Sequence, residues 1–191
     1  MKLQPPRFSS DDELSAFTID FEYTLFEKKI EVPEPTFLTY GIEDAEGRLT
    51  RYLSLFLPIG RVATWKNPPN VRLYKAHGWR EKIPTRITVL ADKTGYKGYI
   101  DEKLVHEGAR KWKPIPLGGT WVLGQYLRRL ESGLKISEQF KGTICSFQMW
   151  DFKMTDSQLH LLFSHEAGMR GNIFDSPPSY VYEQKTKNFE P

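Results

Sequence analysis

Cys145 is the only cysteine in a chain of 191 residues, which excludes an intrachain disulfide. A lone cysteine among strand-forming residues is expected inside, as a small and inert apolar group. Histidine is also sparse. His77, His106, His160 and His165 show neither the i, i+4 nor the Cys-paired spacing of a zinc site, and all four read as surface or loop residues. No apolar run approaches the ~20 residues a helix needs to cross a bilayer. "MKLQPPRFSSDDELS" has no apolar core of leader type, so no signal peptide is visible. P-loops, dinucleotide-binding glycines, serine-hydrolase elbows and zinc-protease motifs are missing too, and no cofactor is implied.

Charge of one sign is not in excess either. The 27 Lys and Arg face 24 Asp and Glu for a net charge of +3, and they are dispersed without RNP or zinc-finger spacing, which argues against a nucleic-acid partner. What remains is ordinary for a globular protein: 39% hydrophobic and 27% charged residues, enough for one good core. Residues 1–191 are therefore read as one domain, with the tail frayed beyond about 183.

The dominant pattern is alternation. In "SAFTIDFEYTL" Phe17, Ile19, Phe21 and Tyr23 fall on one side, and Thr18, Asp20, Glu22 and Thr24 on the other, the signature of a strand buried on one face. "TFLTY", "RYLSLFL", "NVRLYK", "RITVLAD", "YKGYIDEKLV", "TWVLGQ", "TICSFQMWD" and "YVYEQ" read likewise, separated by turn clusters such as "KNPPN" and "PIPLGG". Many short, evenly spaced strands predict an all-β, two-sheet antiparallel jelly-roll sandwich. One short helix is expected over 155–166: Thr155 and Gln158 form a capping box, Leu159, Leu162 and Phe163 make an apolar stripe, and Gly168 closes it. Leu127, Leu130 and Leu134 hint at a second helix over Tyr126 to Ile136, but Gly133 and the charges around it favour a long loop.

"TWVLGQ" followed by "FKGTICSFQMWDFKMTDSQL" resembles the C-terminal half of pentraxin domains: Leu123, Gly124, Gln125, Gly142, Ile144, Gln148, Met149, Trp150, Asp151 and Phe152 match in order. "LSAFTIDFEY", "RITVLADKTGYKGYIDEKLV" and "GNIFDSPPSYVYEQ" resemble other parts of that family. The resemblance implies a concanavalin A or laminin-G-like jelly roll, a ligand-binding rather than catalytic role, rings or dimers, and a place outside the cell or at its surface. The missing leader and the lack of paired thiols leave the cytosol open.

Four departures stand out. Little but "MKLQPPRFSSDDE" precedes Leu14, so by the resemblance the first strand of the usual domain is cut short. The family's disulfide falls, by the resemblance, on Asp20 and Thr88, read here as two solvated strand positions that could also share a hydrogen bond. The family's His-x-Cys-x-Ser/Thr-Trp signature is absent from "RITVLAD". Where calcium-dependent members supply acids and amides, this chain has Tyr126, Leu127 and Arg128, then Lys135 and Glu138. The ion needs six to eight hard oxygens, so no calcium site is expected.

Two candidate ligand surfaces follow. Arg128, Arg129 and Lys135 form a cationic loop suited to an anionic glycan or an acidic protein patch. In "RKWK", Arg110, Lys111, Trp112 and Lys113, a tryptophan between cations could stack on a sugar. Trp150 and Asp151 are assigned to structure, the ring sealing the gap between sheet and helix and the carboxylate bonding nearby backbone. Trp65 and Trp79 lie in loop-like segments. The expected function is a recognition or adhesion module for an extracellular protein or glycan. The alternative is a self-associating structural domain. A jelly-roll glycosidase ranks lower, because "TIDFE" offers Asp20 and Glu22 but Thr18 where the first carboxylate of a glucanase triplet must stand.

Overall fold

The computed structural model describes residues 2–3, 12–26, 36–46, 49–56, 63–65, 71–73, 82–109, 112–124, 126–130, 133–137, 142–164, 171 and 174–176. With strands numbered in chain order, one six-stranded sheet runs β10 (Lys103–Gly108), β9 (Gly95–Ile100), β8 (Thr85–Asp92), β3 (Phe17–Leu25), β15 (Gly142–Trp150), β16 (Phe174–Ser176). The other runs β1 (Lys2–Leu3), β12 (Thr120–Leu123), β4 (Thr36–Glu43), β5 (Leu49–Phe56), β6 (Ala63–Trp65), β7 (Val71–Leu73). Two further strand pairs are seen among the described residues, β2 (Glu13–Leu14) with β11 (Ile115–Pro116) and β13 (Tyr126–Leu130) with β14 (Gly133–Ser137). The helix α1 spans Asp156–Ser164. Every described strand pairing is antiparallel, as the jelly-roll reading requires.

Alternation in the sequence becomes the core between the sheets. Phe17, Ile19, Phe21, Tyr23 and Leu25 of β3 point inward with Ile87, Val89 and Ala91 of β8, and meet Leu38, Tyr40, Leu53, Leu55, Trp121 and Leu123 of the facing sheet. Phe21 stacks on Phe37 with ring centroids 3.7 Å apart, and Phe147 closes the group at 5.9 Å from Phe37. β15 keeps in phase by means of a bulge: its register with β3 shifts between Ile144 and Ser146. The extra residue, Cys145, resets the alternation so that Ile144, Phe147 and Met149 all reach the core. Cys145 therefore sits half-buried at the bulge rather than inside. Its thiol is pushed up by burial, partly offset by the Thr24 hydrogen bond, which disfavours the reactive thiolate form.

Two further features pin the sheets' connections. Tyr40 Oη donates to the Pro116 carbonyl at 2.7 Å and accepts from Gly119 N at 2.9 Å. A Cβ at position 119 would collide with the Gly41 carbonyl and the Tyr40 ring, so glycine is required there. The β9–β10 turn is two residues long, with Asp101 at φ 45° and Glu102 at φ 67°, the type I′ geometry that matches strand twist.

The capping box forms as read. Gln158 N donates to Thr155 Oγ1 at 3.3 Å, and Thr155 N donates back to Gln158 Oε1 at 2.9 Å. Leu159 and Leu162 bury against a second apolar cluster with Leu90, Tyr99, Trp150 and Met154 on the outer face of the β8–β3–β15 sheet. Trp150 thus lies buried between sheet and helix, while Asp151 is exposed.

Several expectations need correction. Tyr126–Leu130 and Gly133–Ser137 are paired antiparallel strands, not a loop or helix; apolar spacing of three or four residues also occurs across two paired strands. Trp65 lies on β6, and His106 on β10 is half-buried with its Nε2 2.8 Å from Tyr96 Oη. His160 is exposed on α1. The Gly168 stop, "YVYEQ", Trp79, His77 and His165 lie outside the described residues.

Candidate functional site

The outer face of β3 is not wet. Asp20 is only 4% exposed and Thr88, its directly opposed partner on β8, only 1%. Thr88 Oγ1 donates to Asp20 Oδ1 at 2.6 Å. Arg86, two residues along the same face, grips the carboxylate with both Nε and an Nη, at 3.1–3.2 Å. The same guanidinium reaches Glu102 Oε1 at 3.2 Å, donates to the Leu162 carbonyl at 3.1 Å, and lies 5.3 Å from the Phe163 ring centroid. Leu162 is in the last turn of α1, where carbonyls lack intrahelical partners, and α1 has no basic residue of its own there. Arg86 therefore does three things at once: it neutralises a buried carboxylate, caps a helix and covers a ring.

This corrects the reading of Asp20 and Thr88 as solvated. α1, far from both in sequence, roofs them. Thr18 is drawn into the same roof, donating to the Phe152 carbonyl at 2.8 Å and accepting from Met154 N at 3.0 Å. Asp20 is thus engaged by Arg86 and Thr18 by backbone. Sequence reasoning missed Arg86, although its i, i+2 relation to Thr88 placed it on the face of Asp20.

The other end of this face is held by Asp92. Its Oδ1 accepts from Thr94 N, Thr94 Oγ1, Gly95 N and Lys153 Nζ at 2.6–3.2 Å. Burial pushes this carboxyl up, but the hydrogen bonds from Thr94 and Lys153, with the Lys153 charge, outweigh it and hold the group below its ordinary value. Lys97 bonds Asp156 at 3.0 Å; that hydrogen bond holds the ammonium above its usual range.

The predicted cationic residues behave differently. On the β13–β14 hairpin, Arg128 and Lys135 are register partners, and Arg129 pairs with Leu134. Two of the three cations are thus brought to directly opposed positions, and the third is one step along. β13 lies against β4 and β5, whose outward Thr39 and Ser54 are buried. The hairpin follows Gly124, which takes φ 78° and donates to the Phe37 carbonyl at 2.6 Å.

Trp112 leaves the candidate set. It is 5% exposed, its ring meets Phe17 edge-on at 4.7 Å, and its Nε1 donates to the Leu14 carbonyl at 2.9 Å. A ring held in the core cannot stack on a sugar. Lys113 is exposed, and Arg110 and Lys111 lie outside the described residues.

No family model matches the chain. It is 32% identical over 72 residues to C-reactive protein of Danio rerio, covering 37% of this chain and 32% of that protein. Over 149 residues, 73% of this chain, it is 30% identical to the Sushi, von Willebrand factor type A, EGF and pentraxin domain-containing protein 1 of Mus musculus. Its fold superposes on a native heptameric SAP-like pentraxin from Limulus polyphemus with TM-score 0.66 and 16% identity, over 88% of this chain and 80% of that one. This is a divergent pentraxin-like domain.

The domain also superposes on the CBM40 of a Ruminococcus gnavus IT-sialidase bound to α2,3-sialyllactose, with TM-score 0.60 and 14% identity, over 85% of this chain and 98% of that one. The matched stretch spans about a third of the Danio rerio protein and 4% of the Mus musculus one.

Proposed function

We propose that this pentraxin-like domain is a non-catalytic recognition module that binds an anionic extracellular ligand, a sialylated or sulfated glycan or an acidic protein patch, without calcium. The observation that carries the reading is the direct opposition of Arg128 and Lys135 on β13 and β14. Like charges at opposed positions of an antiparallel pair destabilise it, and an anion placed between them reverses the sign of that interaction. A divalent cation there would instead be repelled by about 4 kcal/mol per pair of unit charges at 4 Å and an effective dielectric of ~20. The likeness to a CBM40 bound to sialyllactose, a sugar with a carboxylate, supports an acidic glycan. Extracellular placement rests on the pentraxin relatives.

Self-association is the second reading, favoured by the heptameric Limulus polyphemus pentraxin. It would not run through β10. That edge strand carries a register shift between Leu104 and His106 and the charges of Lys103 and Glu107, the usual devices against edge pairing.

Salt-gradient elution from immobilised heparin and from immobilised α2,3-sialyllactose tests the proposal. Wild type is retained, and Arg128→Glu elutes without retention. Retention that Arg128→Glu leaves unchanged would overturn it. Light scattering run beside the columns separates the readings: a concentration-dependent oligomer with no retention on either matrix would replace recognition with self-association.

A further inference from the structure

We infer that α1 is a detachable cover: it opens from the sheet as a unit while the two-sheet sandwich stays folded, and Arg86 is the latch that holds it shut. Among the described residues, the buried apolar side chains divide into two separate clusters. One lies between the sheets; the other, made of Leu90, Tyr99, Trp150, Met154, Leu159 and Leu162, lies only under α1. Lifting the helix therefore costs the second cluster and leaves the first intact.

Among the described residues, what else holds the helix is the edge-on contact of Phe163 with Tyr99, ring centroids 5.6 Å apart, and two polar ties. Nine residues are too few to be stable alone in water, and of these only Leu159 and Leu162 are buried. At its N-terminus the tie to the sheet is Lys97 with Asp156, whose side chain is 84% exposed, a pair that adds little. At its C-terminus the tie is Arg86, which bonds the Leu162 carbonyl and stacks near Phe163 while it is fixed to Asp20 by two nitrogens. Arg86 belongs to β8 and its carboxylate partner to β3, so the latch is rooted in the sandwich and grips the cover.

Hydrogen exchange with mass spectrometry on the full chain tests this. In wild type, amides of Leu159–Ser164 exchange at least tenfold faster than those of β3 and β8, with a rate nearly independent of low urea, the mark of local opening. In Asp20→Asn/Arg86→Met, which removes the latch without stranding a charge, the α1 amides exchange about tenfold faster again, and β3 and β8 amides keep their protection. If that variant does not fold, the wild-type urea dependence still decides. Helix and sheet amides exchanging together with one urea slope would overturn the detachable cover. Unchanged α1 exchange in the folded double variant would overturn the latch.

Discussion

Asp20 on β3 and Thr88 on β8 face each other at one rung of the ladder, joined by a 2.6 Å hydrogen bond and almost wholly buried. The resemblance to pentraxins puts a disulfide at this rung. Here a polar tie stands in its place, completed by Arg86. Removing one member of a buried ion pair strands the other, at about 3–5 kcal/mol. Arg86→Ala should therefore lose about that much in urea denaturation. Thr88→Val, which keeps the Arg86 pair, should lose only about 1–3 kcal/mol. Equal losses for the two would contradict the assignment of Arg86 as the main partner.

Trp150 fills the floor beneath α1 at 2% exposure. Trp150→Ala should cost about 3–5 kcal/mol, the range for emptying a large aromatic site. A loss well under 1 kcal/mol in chemical denaturation would remove it from the cluster with Leu159 and Leu162.

Glu102 holds φ 67° in the β9–β10 turn, a region where a side chain is strained and glycine is not. Its bond to Arg86 is made from a side chain 43% exposed, so little is lost with it. Glu102→Gly should raise stability by roughly 0.5–1 kcal/mol. A clear loss in thermal unfolding would mean that the Arg86 contact outweighs the backbone strain.

Asp92 gives the fold an acid-sensitive element. Its carboxyl lies lower in the folded chain than in the unfolded one, because the Thr94 and Lys153 bonds outweigh the burial that opposes them. Its contribution is fully present above the ordinary carboxylate value, near 3.9, and is lost as pH falls through the depressed folded value. Asp92→Asn should flatten the acid limb of the stability profile below about pH 4. An unchanged acid limb would contradict the assignment.

How much of this was legible depended on the range of the interactions. Phe17, Ile19, Phe21 and Tyr23 declare their face because alternation is local. The capping box at Thr155 and Gln158 is local as well, and the structure reproduces it. Asp20 looked solvated because nothing near it in sequence reveals that α1 will roof it. Trp112 looked exposed among Arg110, Lys111 and Lys113, whereas its partners are Phe17 and the Leu14 carbonyl, almost a hundred residues upstream. The β13–β14 hairpin was hidden because Leu127, Leu130 and Leu134 satisfy a helical spacing equally well. Of the candidate site, the identities of Arg128 and Lys135 were readable, and their opposition across the hairpin was not.

Calcium-independent recognition of an anion is most directly tested by calorimetric titration of the domain with α2,3-sialyllactose and with a heparin oligosaccharide, each in millimolar calcium and again in excess EDTA. The account predicts that at least one of them binds, with the same affinity in both buffers, and that Arg128→Glu abolishes that heat. Binding that appears only with calcium, or that Arg128→Glu leaves intact, would contradict it.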